Sequence, residues 1–203
     1  MSPFLVAIVG LAKAWIYMNG VLCYTVAKQL RILGLHRAAS QEIVVNVYRL
    51  LDEAIKQPRT KRKYTFLPLY YSHDIVSCLC TYAKHTEVGS ASWLVVFNPS
   101  TGKIITAKLL ESTDKIFVRN NDNFLYYGTN SNGKWVMRGF DLVDGTWLNQ
   151  TSDIPAEIGS GVDSTVSFGI FNGFFYGVSN QTSLEAVVVD WVSYYTCFRF
   201  PLT

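Results

Sequence analysis

Four turn pairs spaced about fifty residues apart constrain this chain more than any other feature of its sequence. Asn19-Gly20 lies in WIYMNGVLCYT, His73-Asp74 in LYYSHDIVSCLCT, Asp122-Asn123 in FVRNNDNFLYYGT and Asn172-Gly173 in FGIFNGFFYGVSN. The intervals from 19 to 73, 73 to 122 and 122 to 172 are 54, 49 and 50 residues. Each pair has an apolar, strand-like arm on both sides. Asn-Gly favours a two-residue hairpin because both central residues of a type I′ turn need φ > 0. A turn recurring at a fixed period of this length points to a repeat architecture.

Further strands follow each hairpin. WLVVFNPSTGKIITAKLL (Trp93 to Leu110) reads as strand, turn, strand, and WVMRGFDLVDGTWLN (Trp135 to Asn149) does the same through Val143-Asp144-Gly145. LRILGL and EIVVNV take these places in the first copy, and EAVVVDW and YYTCFRF in the last. About four short strands per copy is the content of a propeller blade. The expected fold is therefore all-β: a β-propeller-like array of about four blades of short antiparallel strands, forming one domain over residues 1–203. Blades leave apolar faces that only neighbouring blades can cover, and three or four blades are near the lower limit for closing a ring. The chain is accordingly read as an incomplete array or one with an exposed edge, which is an association hazard. One stretch breaks the pattern. Val47, Leu50, Leu51, Ala54 and Ile55 fall on one helical stripe after Asn46, a good N-cap, and Pro58 follows. Residues 47–63 are read as a helix and basic loop inserted between the first two blades.

Aromatic residues are abundant, with 12 Tyr, 12 Phe and 5 Trp, and rings pack well on a pleated surface. For most of them a place in the blade core is favoured over a partner groove. The net charge of +3 is unevenly placed: Lys56, Arg59, Lys61, Arg62 and Lys63 crowd into KQPRTKRK. Without these five, 13 basic residues face 15 acidic ones, so no broad basic face for nucleic acid is expected. The run reads first as a solvated loop beside a helix C-terminus, where cations are mildly favoured, and second as a nuclear import signal or anion patch. Pro3 to Ala12 is apolar but too short to span a bilayer, and no basic residue precedes it. No membrane partner is expected, and an intracellular place, cytoplasmic or nuclear, is.

Little in the chain suggests a reaction. His73, Cys78, Cys80 and His85 form H-x4-C-x-C-x4-H. Offsets of five put the two histidines on the strand face opposite the two cysteines, and five extended residues span roughly 16 Å against a zinc–nitrogen bond near 2 Å. No metal is expected there, and C-x-C is not the C-x-x-C of redox proteins. The chain carries no G-x-S-x-G, H-E-x-x-H or complete G-x-x-x-x-G-K-[ST] motif. GSGVDS (Gly159 to Ser164) lacks the third glycine of a dinucleotide loop, and Asp52-Glu53 fall on the solvated side of the helix. No catalytic residue, no cofactor and no enzyme activity are expected. Asn149 and Asn180 each open an Asn-Gln-Thr sequon, which matters only in a secreted protein.

The stretches SWLVVFNPSTGKI, STDKIFVRNNDNFLYYGT, WVMRGFDL and, most specifically, FFYGVSNQTSLEAVVVDWVSYYTCFRFPL resemble the C-terminal region of filamentous-fungal F-box proteins. LCYTVAKQLRILGLHRAASQEIVVNVYRLLDEAI is similar to an earlier part of the same region. The resemblance implies a β domain that selects a protein substrate for a cullin–RING ubiquitin ligase, with an upstream F-box docking a Skp-type adaptor. Before Trp15 there is no Leu-Pro with amphipathic helices, so the adaptor is expected as a partner only if an F-box lies upstream. No adaptor-binding residue is carried over, and no binding-face residue is assigned. Two other readings stand beside this one. The aromatic load and the two sequons fit a secreted glycan-binding or glycan-processing propeller, and an open array fits a truncated gene product without activity.

Overall fold

The computed structural model describes residues 11–36, 41–55, 64–82, 90–131, 134–154, 165–181 and 194–202. The protein is all-β with one short helix, and its strands form four antiparallel sheets in sequence order, a propeller-like fold. The first sheet contains β1 (Ala14–Met18), β2 (Val21–Val26), β3 (Gln29–Gly34) and β4 (Ile43–Asn46), followed by α1 (Val47–Ile55). The second contains β5 (Tyr64–Ser72), β6 (Ile75–Tyr82), β7 (Ala91–Phe97) and β8 (Ile104–Leu110). The third contains β9 (Phe117–Asn120), β10 (Phe124–Ser131), β11 (Lys134–Asp141) and β12 (Thr146–Ile154). The fourth has, among the described residues, three strands: β13 (Thr165–Phe171), β14 (Phe174–Gln181) and β15 (Tyr194–Pro201). Every sheet is a meander, each strand hydrogen-bonded to the next in sequence.

The repeat is real. Each of the four turn pairs lies between the first and second strands of its sheet. Three of the turns have positive φ at both central residues: Asn19 and Gly20 (51° and 79°), His73 and Asp74 (51° and 55°), and Asn172 and Gly173 (47° and 75°). That is the type I′ pattern. His73-Asp74 holds it without a glycine. There the Asp74 carboxylate accepts hydrogen bonds from Asn98 Nδ2 (3.1 Å) and Ser100 Oγ (3.0 Å), so the β5–β6 turn is tied to the β7–β8 turn. The third turn differs. Neither Asp122 nor Asn123 has positive φ; instead Asn121 Oδ1 accepts the backbone N–H groups of Asn123 (3.0 Å) and Phe124 (2.7 Å). A side chain here replaces the left-handed backbone, as Asx turns do.

The Asn172-Gly173 turn supplies a direct test. A Cβ on Gly173 would meet nothing within 4 Å, so the cost of a side chain is backbone strain alone. Gly173→Val is expected to lower stability by about 1–3 kcal/mol, since a β-branched residue is strained at this φ. An unchanged urea midpoint would show that the loop relaxes freely into another turn type.

The chain divides into two compact units, Met1–Leu109 and Leu110–Thr203. In the first, α1 is a core element. Asn46 Oδ1 accepts the N–H of Arg49 (3.2 Å), capping the helix as its sequence position predicts. Val47, Leu50, Leu51 and Ile55 then pack with Cys23, Leu30 and Ile32 of the first sheet and Phe66, Val76, Cys78, Cys80, Val95 and Phe97 of the second. The basic run after the helix, residues 56–63, lies outside the described residues, as do EAVVVDW and GSGVDS.

The core of the second unit is aromatic. Tyr126, Trp135 and Met137 of the third sheet meet Phe168 and Phe175 of the fourth, with Phe117, Phe198 and Phe200 around them. Two glycines make room for rings. A Cβ on Gly128 would strike the Phe117 ring, and one on Gly177 the Phe198 ring, so each glycine is the floor on which a neighbouring strand's phenyl group lies.

Candidate functional site

On β1 the pleat sends alternate side chains to opposite faces. Ile16 packs against the first unit's core, while Trp15 and Tyr17 face outward, 65% and 49% exposed. The strand register extends this outer face across the sheet. Trp15 stands opposite Tyr24, Tyr24 opposite Arg31, and Arg31 opposite Val44; in the next row Tyr17, Leu22 and Leu33 are aligned.

The polar groups in the first row are held rigidly. Tyr24 donates its hydroxyl hydrogen to Glu42 Oε1, and Arg31 Nη1 bonds Glu42 Oε2 at 3.0 Å. Arg31 also reaches Gln29 Oε1 through Nε (3.3 Å) and Nη2 (3.0 Å). Burial raises the Tyr24 pKa above its ordinary value; the Glu42 carboxylate adds to the rise and the Arg31 guanidinium opposes it. The phenol thus stays a hydrogen-bond donor at neutral pH. His36 completes the rim, with its Nε2 3.2 Å from the Tyr17 hydroxyl. Its ring occupies the place a Cβ on Gly20 would take, so the glycine of the first turn both permits the left-handed backbone and seats the imidazole.

This arrangement sets two exposed aromatic side chains on one strand face beside fixed hydrogen-bonding groups. It can hold a molecule with an apolar face and a polar edge. Glu42 is the one acidic residue between Leu11 and Asn46, and both of its oxygens are engaged by Tyr24 and Arg31.

Of the residues weighed as a metal quartet, the three that are described lie in different surroundings. Cys78 and Cys80 are fully buried on β6 in the same core as Cys23, whereas His73 sits in the β5–β6 turn with Nδ1 2.7 Å from Ser72 Oγ. His85 lies outside the described residues. All four cysteines are free thiols. Asn149 falls on β12 and Asn180 on β14. Sequence reasoning placed the aromatics in blade cores and so missed Trp15 and Tyr17. The W-x-Y spacing puts both rings on one face, but only the packing of Ile16 identifies that face as the outer one.

No protein-family model matches the chain, and no curated protein is similar to it. Among solved structures the chain is similar to the GH43 endo-arabinanase from Bacillus licheniformis, at 12% identity and a TM-score of 0.40, over 92% of this chain and 70% of that one. The likeness is too distant to carry an activity or a substrate across. The expected role as the substrate-recognition part of an F-box-type ubiquitin ligase adaptor is not upheld and is corrected here: with no family model and no curated protein matching the chain, no F-box family stands behind it.

Proposed function

We propose that the protein is a carbohydrate-binding module and that the outer face of its first sheet is the binding surface. The observation that carries this reading is the exposed Trp15–Tyr17 pair lying next to the fixed Tyr24–Glu42–Arg31–Gln29 network. A sugar ring has an apolar C–H face that stacks on aromatic carbon and a rim of hydroxyls that seek donors and acceptors. An apolar protein partner would gain nothing from a row that passes from Trp15 into an arginine and a glutamate. The reading is of binding, not hydrolysis. Glycoside hydrolysis uses two carboxyl groups roughly 5–9.5 Å apart, and the first sheet's sequence contains Glu42 alone.

Affinity electrophoresis of the full chain in gels containing arabinan, xylan, mannan or β-glucan tests the proposal. At least one polysaccharide is expected to retard the protein. Trp15→Ala combined with Tyr17→Ala should weaken that retardation about tenfold or more, as expected for the loss of two stacking contacts. Both side chains are exposed, so the thermal midpoint should hold. Unretarded wild-type protein, or a double variant retarded as strongly as wild type, would refute the assignment.

A further inference from the structure

Two turns of this chain share a sequence and a backbone yet stand in different surroundings. Asn19 and Gly20 have φ values of 51° and 79°, and Asn172 and Gly173 have 47° and 75°. In each turn the glycine carbonyl accepts an N–H from the residue just past the sheet's third strand: Gly20 O from Leu35 (2.8 Å) and Gly173 O from Leu202 (3.0 Å). Neither glycine N–H has an acceptor among the described residues. The difference is cover. Gly20 is buried, and the His36 ring lies where its Cβ would be, with Nε2 3.2 Å from the Tyr17 hydroxyl. Asn172 and Gly173 are both exposed, and nothing lies within 4 Å of the Cβ position of Gly173.

Asn-Gly is also the pair most open to attack by its own backbone, because glycine places no side chain beside the attacking nitrogen. We infer that Asn172 is a site of spontaneous covalent modification, converting to aspartate and isoaspartate, and that His36 protects Asn19 from the same reaction. Gly173 N loses its proton to hydroxide and bonds to Asn172 Cγ. The Cγ–Nδ2 bond breaks, and the leaving nitrogen takes a proton from water and departs as ammonia. A five-membered succinimide remains. Water then cleaves one of the two ring C–N bonds that Gly173 N makes. Cleavage at Cγ gives aspartate, and cleavage at the Asn172 carbonyl carbon gives isoaspartate. One water enters, one ammonia leaves, and no oxidant is needed.

A type I′ backbone swings the following nitrogen away from the asparagine side chain, so ring closure waits on a transient opening of the turn. Opening the first turn must also displace the His36 ring from Gly20, whereas no such ring covers Gly173. The isoaspartyl product adds a backbone carbon to a two-residue loop, which loosens the β13–β14 hairpin. The chain's third Asn-Gly pair, Asn132-Gly133, lies outside the described residues. The Asn172 site is in the other compact unit from the proposed carbohydrate surface and stands without it.

Peptide mapping of the full chain after prolonged incubation at pH 8, with digestion at mildly acidic pH, is the test. The Asn172 peptide is expected to gain one mass unit and split into two isomers at least ten times faster than the Asn19 peptide. In urea the two sites should react at similar rates, since glycine follows both asparagines. His36→Ala, at an exposed position, should bring the folded-state rate at Asn19 to within about threefold of that at Asn172. No conversion at Asn172, equal rates at the two sites in the folded protein, a tenfold difference that persists in urea, or an unchanged Asn19 rate in His36→Ala would each overturn the inference.

Discussion

Raising the pH from 8 to 11 is expected to remove on the order of 5 kcal/mol of stability from the first unit, through two buried thiols. Cys23 and Cys80 are fully buried, and burial pushes each thiol from about 9 to about 12. Cys78, packed in the same core, is also raised, by burial first and then by its neighbours Cys23 and Cys80. The unfolded chain ionises its thiols near pH 9, and the folded chain near pH 12. Stability from these groups is therefore fully present below pH 9 and falls as the pH rises toward 12. Each thiol contributes up to about 1.4 kcal/mol per pH unit in that window, or roughly 2–3 kcal/mol by pH 11. Small domains have only about 5–15 kcal/mol in total. Urea midpoints at pH 8, 9.5 and 11 under reducing conditions, with hydrogen exchange read on β6, would show the decline. Cys23→Val and Cys80→Val keep apolar volume and should each flatten the slope. A wild-type midpoint unchanged to pH 11 would mean that these thiols are not shielded from water.

Phe175→Ala is expected to cost the second unit about 3–5 kcal/mol. Phe175 is fully buried and touches Phe117, Tyr126, Phe168 and Phe200, stacking on the last at 5.0 Å. Truncation loses the transfer free energy of the ring and leaves a cavity that its rigid aromatic neighbours cannot fill. Phe171, four residues earlier and across the same turn, is 67% exposed. Phe171→Ala should therefore cost less than about 0.5 kcal/mol. Urea denaturation of the two variants side by side, with hydrogen exchange on β13–β15, gives the comparison. Equal losses would show that the fourth sheet does not bury the face described here.

The contrast between Phe171 and Phe175 also marks how much of the fold could be read in advance. The hairpin was legible because Asn-Gly has few conformational options and its flanks are strand formers. The period was legible because the same local signal recurs. The helix was legible too, since a 3.6-residue stripe after an asparagine cap has one simple solution. The Asp122-Asn123 turn was placed correctly between its strands, but its geometry was not legible, because an Asx turn built on Asn121 and a type I′ turn look alike in sequence. What the sequence did not show is that the helix's apolar stripe is a central part of the first unit's core.

The candidate sites were much less legible. Trp15-x-Tyr17 and Phe174-Phe175 are both strand aromatics. In strands, sequence shows which residues share a face but not whether that face meets another sheet or water. The same holds for Trp135, whose unpaired N–H exists only because Phe117 and Phe168 close around the indole. Local rules, acting over a few residues through φ preferences and side-chain alternation, are enough to specify strands, turns, the helix and their repetition. Burial, shifted thiols, the Tyr24–Glu42–Arg31 network and the enclosed Trp135 indole depend on contacts between segments far apart in the chain, because desolvation and hydrogen-bond partnership arise only when sheets pack.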